Sequence, residues 1–201
     1  MTKEKLRVKN ITVNFEEKSI IEDVTITLNE GEIVSILGVS GVGKTTLFNV
    51  IAGLINPCIG TVELDGENII GKSGKISYML QKDLLFPFKT ILDNVSLPLI
   101  LKGENKKKAR EIAGKYFSQF GLEGMENKYP KELSGGMRQR AAFLRTYMFS
   151  SEIALLDEPF SALDTITKQK IHTWYLDVVK KLNISILFIT HDIDEAILIS
   201  D

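Results

Sequence analysis

At 201 residues, with 44% apolar and 25% charged side chains, the chain is sized for one domain able to bury a real core. Its formal net charge of −1 argues against a broad nucleic-acid-binding face, which needs clustered positive charge. The single cysteine, Cys58, has no Cys or His at ligand spacing. That excludes a disulfide framework, fits a reducing compartment and predicts a small apolar filler.

The start, Met1-Thr2-Lys3-Glu4-Lys5, is mixed in charge with no apolar segment behind it, so no signal peptide is expected. The longest apolar runs, Ile184–Ile189 and Val95–Leu101, are far short of the roughly 18–20 residues of a membrane helix. Any membrane role is therefore expected to pass through a partner.

Taken in chain order, Val8, Ile11, Val13 and Phe15 alternate with one slip, and Val24, Ile26 and Leu28 alternate cleanly. This is strand periodicity with one wet face. Ile33–Leu37 is apolar without alternation, as are Ile153–Leu156 and Ile186–Ile189; such runs predict parallel strands covered on both faces. Leu47, Val50, Ile51 and Leu54 form a helical stripe. Asp65-Gly66 marks a hairpin turn, and Ile76–Leu80 a further strand. A second helical stripe runs through Ala109, Ile112, Ala113, Tyr116, Phe117 and Phe120, with Gly121 as its stop. A third runs through Ile171, Trp174, Tyr175, Val178 and Leu182. Strands interleaved with helices predict an α/β fold with a mostly parallel sheet and an antiparallel β patch. The helical stretch 82–147 is expected as an inserted subdomain between core segments 1–81 and 148–201. The basic run Lys106-Lys107-Lys108 with Arg110 reads as a solvated helix face.

The strongest local signal is Gly38-Val39-Ser40-Gly41-Val42-Gly43-Lys44-Thr45 followed by Thr46. It joins an apolar strand to a helix, the context a phosphate-binding P-loop requires. Glycines let backbone N–H groups form a nest for phosphate oxygens, and the helix start adds partial positive charge. Lys44 then brings a full charge to the β- and γ-phosphates, and the Thr45 hydroxyl suits Mg²⁺. Far along the chain, the strand Ile153–Leu156 ends in Asp157-Glu158-Pro159. Adjacent residues of a strand face opposite ways, so Asp157 suits the Mg²⁺ side and Glu158 is free to polarise a water as general base.

Between these motifs lies Leu133-Ser134-Gly135-Gly136-Met137-Arg138-Gln139-Arg140. Ser134 is a good helix N-cap, and the glycines allow an anion close to the helix start. This octet resembles the signature motif of ATP-binding cassette (ABC) ATPases, with Met137 where many members have Gln. The resemblance extends along the chain. Gln81 looks like the family's Q-loop glutamine, Ser161-Ala162-Leu163-Asp164 its D-loop, and Thr190-His191-Asp192 its switch-histidine segment. Phe15 stands where the family places an aromatic against adenine. Taken singly, Phe15 reads equally as core, Gln81 as a surface amide and His191 as a helix cap.

The resemblance implies an ATPase subunit that powers transport through a separate membrane permease. It implies head-to-tail homodimers in which Ser134, Gly135 and Gly136 bind the γ-phosphate of ATP held by the partner's P-loop. Gln81 would report Mg²⁺ and the γ-phosphate, His191 would hold that phosphate and orient water, and Asp164 would link the two sites. A peripheral place on the cytoplasmic face of the membrane is implied as well, with permease subunits and a solute-binding protein as partners and no nucleic acid. The segment Gln81–Val95 is similar to that of nitrate, sulfonate, taurine or thiamine-precursor importers. Two other roles are a regulator that clamps ATP with little hydrolysis and a soluble family member acting on ribosomes or DNA repair. Intact Glu158 and His191 speak against the first; the absence of a second cassette or a coiled-coil insertion speaks against the other. Family domains usually continue past the switch histidine, so with Asp201 soon after His191 an exposed sheet edge and reduced stability are expected.

Overall fold

The computed structural model describes residues 3–16 and 18–201. Met1 and Thr2, part of the mixed-charge start, lie outside the described residues. The chain forms two compact units. Among the described residues the first comprises 3–16, 18–78, 152–158 and 183–201, the second 79–151 and 159–182.

In the first unit, β1 (Glu4–Phe15) and β2 (Lys18–Asn29) form an antiparallel pair extended by β4 (Ile59–Leu64) and β5 (Glu67–Asn68), in the order β2-β1-β4-β5. The slip in the β1 alternation is a register shift between Val8 and Ile11, where Asn10 takes φ 49°. Such a bulge lets Val8, Ile11 and Val13 all face the core. The β4–β5 hairpin turns at Asp65 and Gly66, both at positive φ, as its tight turn demands.

The other sheet runs β3 (Ile33–Leu37), β8 (Ser185–Thr190), β7 (Ile153–Asp157), β6 (Ser77–Met79). β3 pairs parallel to β8 and β8 parallel to β7, so all three present their carboxyl ends at one edge. β7 and β8 are buried at every residue. β3 departs from the expected full cover: only Ile33 is buried and Leu37 is exposed, because β3 is an end strand in this order.

Helix α1 (Lys44–Ile51) packs Leu47, Phe48, Val50 and Ile51 into a core shared with β1, β2, β4, β7 and β8. It stops before Leu54, which is exposed although it continues the apolar stripe. Gly53 at φ 73° ends the helical path there. Cys58 is also exposed, contrary to the filler expected. It sits in the connection entering β4, where its backbone N–H donates to the Thr12 carbonyl at 2.8 Å.

The second unit holds α2 (Ile91–Leu101), α3 (Lys106–Gly114), α4 (Gly135–Phe149) and α5 (Thr165–Leu182). Helix α3 ends at Gly114 rather than Gly121. Beyond Gly114 the backbone tightens, Phe117 N–H donating to the Gly114 carbonyl; this still buries Phe117 and Phe120. Helix α5 groups with this unit, whereas the sequence pattern alone gives no reason to place it here. Aromatic rings supply the reason: Phe143 of α4 lies 5.2 Å from Tyr175 of α5, which lies 5.5 Å from Phe160.

Asp93, in the first turn of α2, accepts from Arg110 at 2.5 Å. Burial pushes this carboxyl up, but the Arg110 hydrogen bond, the Arg110 and Lys106 charges and Thr90 outweigh it and hold it below its usual value. A carboxyl lowered on folding adds stability that is whole above the unfolded value of about 3.9 and fades as pH falls through the folded value. Asp93→Asn is therefore expected to cost about 1 kcal/mol at pH 7. In urea unfolding that difference should shrink as pH is taken towards 3; a constant difference would contradict the assignment.

Candidate functional site

The carboxyl edge of the parallel sheet gathers most of the residues singled out by motif. β3 runs into the loop Gly38–Gly43, and Lys44 opens α1. Lys44 Nζ bridges the loop, donating to the Gly38 carbonyl at 2.7 Å and the Val39 carbonyl at 2.9 Å. Gly43 takes φ 96°, and a Cβ there would stand 2.8 Å from the Ile20 carbonyl oxygen. Gly43→Ala must therefore both strain the backbone and push the loop off β2. That strain alone is worth about 1–2 kcal/mol, so nucleotide affinity is expected to fall at least about tenfold. Titration with a fluorescent nucleotide checks this, and unchanged affinity would refute it.

β7 delivers Asp157 and Glu158 to the same edge. The Thr45 hydroxyl donates to Asp157 Oδ2 at 2.9 Å. Asp157 is buried, and desolvation raises its carboxyl above the usual range, the Thr45 hydrogen bond opposing this and the Glu158 charge adding to it. Glu158 holds a left-handed backbone, φ 45°, with its N–H on the Ile189 carbonyl at 3.0 Å. A non-glycine residue there is strained; here it turns the carboxyl from the strand line toward His191, whose Nδ1 lies 3.1 Å from Glu158 Oε2. His191 comes directly after β8, and Asp192, not His191, caps α6 (Ile193–Ile199) by accepting from Glu195 N–H at 3.1 Å. Because β8 lies between β3 and β7, His191 emerges between the P-loop and the paired acids.

A cavity of about 330 Å³ opens beside this edge, lined by Phe15, Ile20, Ser40, Gly41, Gly43, Lys44, Thr45, Thr46 and Glu158. Phe15 is 50% exposed, leaving its ring open to this cavity. A second hollow of about 580 Å³ is lined by Gly38, Ser40, Glu158 and His191 together with apolar Leu37, Val39 and Ile193.

Two residues that the motifs do not single out also stand here. Ile20 lines the first cavity, and Tyr78 Oη donates to Asp157 Oδ2 at 3.4 Å while its ring meets Phe48 edge-on. Burial, then the Asp157 charge, pushes the Tyr78 phenol up. The sequence signal was a phenol inside the apolar run 76–80, which needs a polar partner once buried.

Gln81, Ser134, Gly135 and Gly136 belong to the second unit. Gln81 Nε2 donates to the Ser161 hydroxyl at 3.2 Å. Ser134 caps α4, accepting from Met137 N–H at 3.3 Å. The two glycines lie close against residues 163–167: a Cβ on Gly135 would come within 3.3 Å of Leu163, and one on Gly136 within 3.1 Å of Thr167. Asp164 in turn accepts from Thr167 N–H at 3.0 Å at the start of α5. No helix among the described residues is long and apolar enough to cross a membrane.

Residues 21–161 match the family described as ABC transporter. The formylaminopyrimidine import ATP-binding protein ThiZ of Halalkalibacterium halodurans is 48% identical over 202 residues, spanning 100% of this chain and 79% of that protein. The taurine import ATP-binding protein TauB of Escherichia coli O157:H7 is 38% identical over 192 residues, 96% of this chain and 75% of that one. Among solved structures, cbiO1 from Clostridium perfringens, part of the ABC transporter complex cbiONQ, superposes with a TM-score of 0.89 at 25% identity. The match covers 99% of this chain and 83% of that one.

Proposed function

This chain belongs to the ABC transporter family as one of its ATP-binding, ATP-hydrolysing subunits, and from that premise we propose that it powers import of a small solute through a separate membrane permease. The observation carrying this reading is the strand order β3-β8-β7, which lines up Lys44, His191 and the Asp157–Glu158 pair on one edge. ATP lies in the cavity with its adenine on Phe15 and its phosphates against Ser40, Gly41, Gly43, Lys44, Thr45 and Thr46. Glu158 acts as general base, and His191 holds the γ-phosphate and orients the water.

Mg²⁺ fits the donor set. It prefers oxygen ligands and keeps several waters and phosphate oxygens, and Thr45 and Asp157 bring a hydroxyl and a carboxylate together. Among the described residues no cluster of three or more His, Cys, Asp or Glu offers a closed cage, so the cation would depend on nucleotide as well as protein. By the resemblance of its motif Gln81 would join the cation's ligands and sense the γ-phosphate, while Ser134, Gly135 and Gly136 would take the phosphate of ATP held by a second copy, head to tail. Exposed Leu37, Val39 and Ile193 around His191 support such a cover, since an apolar rim beside a polar site favours a partner. The helical stretch within 82–147 meets the permease on the cytoplasmic face of the membrane, and a solute-binding protein supplies cargo from the far side. The import direction is supported by relatives named as import ATP-binding proteins.

Hydrolysis by the purified chain should fall to background when EDTA removes divalent cations and return on adding Mg²⁺. Hydrolysis that persists in EDTA would overturn the metal assignment.

A further inference from the structure

Between Gln81 and α2 the chain has no regular secondary structure over 83–90, yet its backbone is held by side chains at nearly every step. Arg145, in the body of α4, grips the first part with both arms of its guanidinium. Nη2 donates to the Asp83 carbonyl at 2.6 Å and Nη1 to the Leu84 carbonyl at 2.8 Å. Arg138, from the first turn of the same helix, donates through Nε to the Asp83 carboxylate at 3.2 Å. Asp83 also accepts from Leu85 N–H at 3.1 Å. Asn94, wholly buried, takes the second part. It accepts from Phe86 N–H at 2.7 Å and donates to the carbonyls of Phe86, Lys89 and Thr90.

The cost of the arrangement shows that it is imposed. Leu84 sits at φ 44°, a conformation unfavourable for any residue with a Cβ. Its side chain is 54% exposed, so packing offers little in return. Arg145 loses solvation of its charge, and burial lowers its basicity despite Asp83 nearby. A planar fork across two consecutive carbonyls specifies their orientation in a way that a single donor does not. The grip lies two residues beyond Gln81, on the helix that Ser134 caps.

We propose that Arg145 is a positioning residue that fixes the Asp83–Leu84 backbone and thereby aims Gln81, tying the glutamine's setting to helix α4. The inference rests on the role of Gln81 proposed above. A change at the start of α4 then reaches Gln81 through a rigid link rather than through a loose loop, and loosening the link should affect turnover more than nucleotide capture.

The test compares Arg145→Met, Arg145→Lys and Gln81→Ala by steady-state ATP hydrolysis and by amide hydrogen exchange over 83–90. Arg145→Met is expected to lower kcat about ten- to a hundredfold while KM for Mg-ATP stays within about twofold, with faster exchange in 83–90 than in α4. Arg145→Lys keeps the charge but not the fork, and is expected to show the same split at about threefold. If Arg145→Met does not fold, the lysine variant carries the test. Wild-type kcat in either variant overturns the proposal, as does a parallel collapse of kcat, KM and α4 protection, which would mark a purely structural residue. Loss in Gln81→Ala without loss in the Arg145 variants sinks the clamp alone. An inert Gln81→Ala sinks the role of Gln81, and the inference with it.

Discussion

Lys44→Ala is expected to cut ATP hydrolysis at least about 10²–10³-fold, the usual loss when one preorganised charge is removed from a reaction centre. The geometry gives the reason. Among the described residues Lys44 is the only cation lining the cavity beside Phe15 and the P-loop, and its ammonium is already drawn across the loop by the Gly38 and Val39 carbonyls. Phosphate oxygens entering the cavity would exchange those neutral acceptors for charged ones, a stronger pairing. Alanine leaves the nest of backbone N–H groups but removes the counter-charge. Nucleotide affinity should therefore fall with the rate, while thermal unfolding of the free protein changes little, because the hydrogen bonds lost tie the P-loop only to itself. Steady-state kinetics and nucleotide titration measure both; near-normal turnover would refute the assignment.

Glu158→Gln is expected to lower kcat about 10²–10⁴-fold, the span of a general base, with ATP affinity nearly intact. Glutamine keeps the volume and can still bond His191 Nδ1, now 3.1 Å from the carboxylate, but it cannot accept a proton from water. It also inherits the left-handed backbone at φ 45°, so no new strain enters. A kcat drop without a matching rise in KM would place Glu158 at the chemical step. A large rise in KM alone would assign it to binding.

The fold was legible where local chemistry decides structure. The bare apolar runs Ile33–Leu37, Ile153–Leu156 and Ile186–Ile189 gave three parallel strands, although only the latter two have the full cover such runs suggest; β3, at the end of the order, keeps only Ile33 buried. The slip in the alternation was visible near Asn10, and the structure explains it as a bulge of β1. Legibility failed where the outcome depends on long-range packing. Leu54 continues a helical stripe, but Gly53 ends the helix first. α3 ended at Gly114 although the stripe ran on, because the buried Phe117 and Phe120 are accommodated by the tighter turns that follow. α5 joins the second unit through rings of Phe143, Tyr175 and Phe160, pairs far apart in sequence.

The candidate site divides the same way. The P-loop announces itself because glycines, lysine and threonine do their work within eight consecutive residues. The meeting of Thr45 with Asp157, and of Glu158 with His191, depends on β8 lying between β3 and β7, which no single motif encodes. Tyr78 beside Asp157 and the Arg145 fork beyond Gln81 are invisible to motif reading, since each touches its target across a long stretch of chain.

In the proposed mechanism everything turns on ATP being clamped between the P-loop of one copy and the Ser134–Gly136 segment of another. Size exclusion of Glu158→Gln, with and without ATP and Mg²⁺, tests it most directly, because a site that binds but does not hydrolyse should hold the clamp shut. The expected result is a monomer without nucleotide and a dimer with it, lost again when Ser134 is replaced by a bulky residue. A chain that binds ATP by titration yet elutes as a monomer in every condition would contradict the clamp.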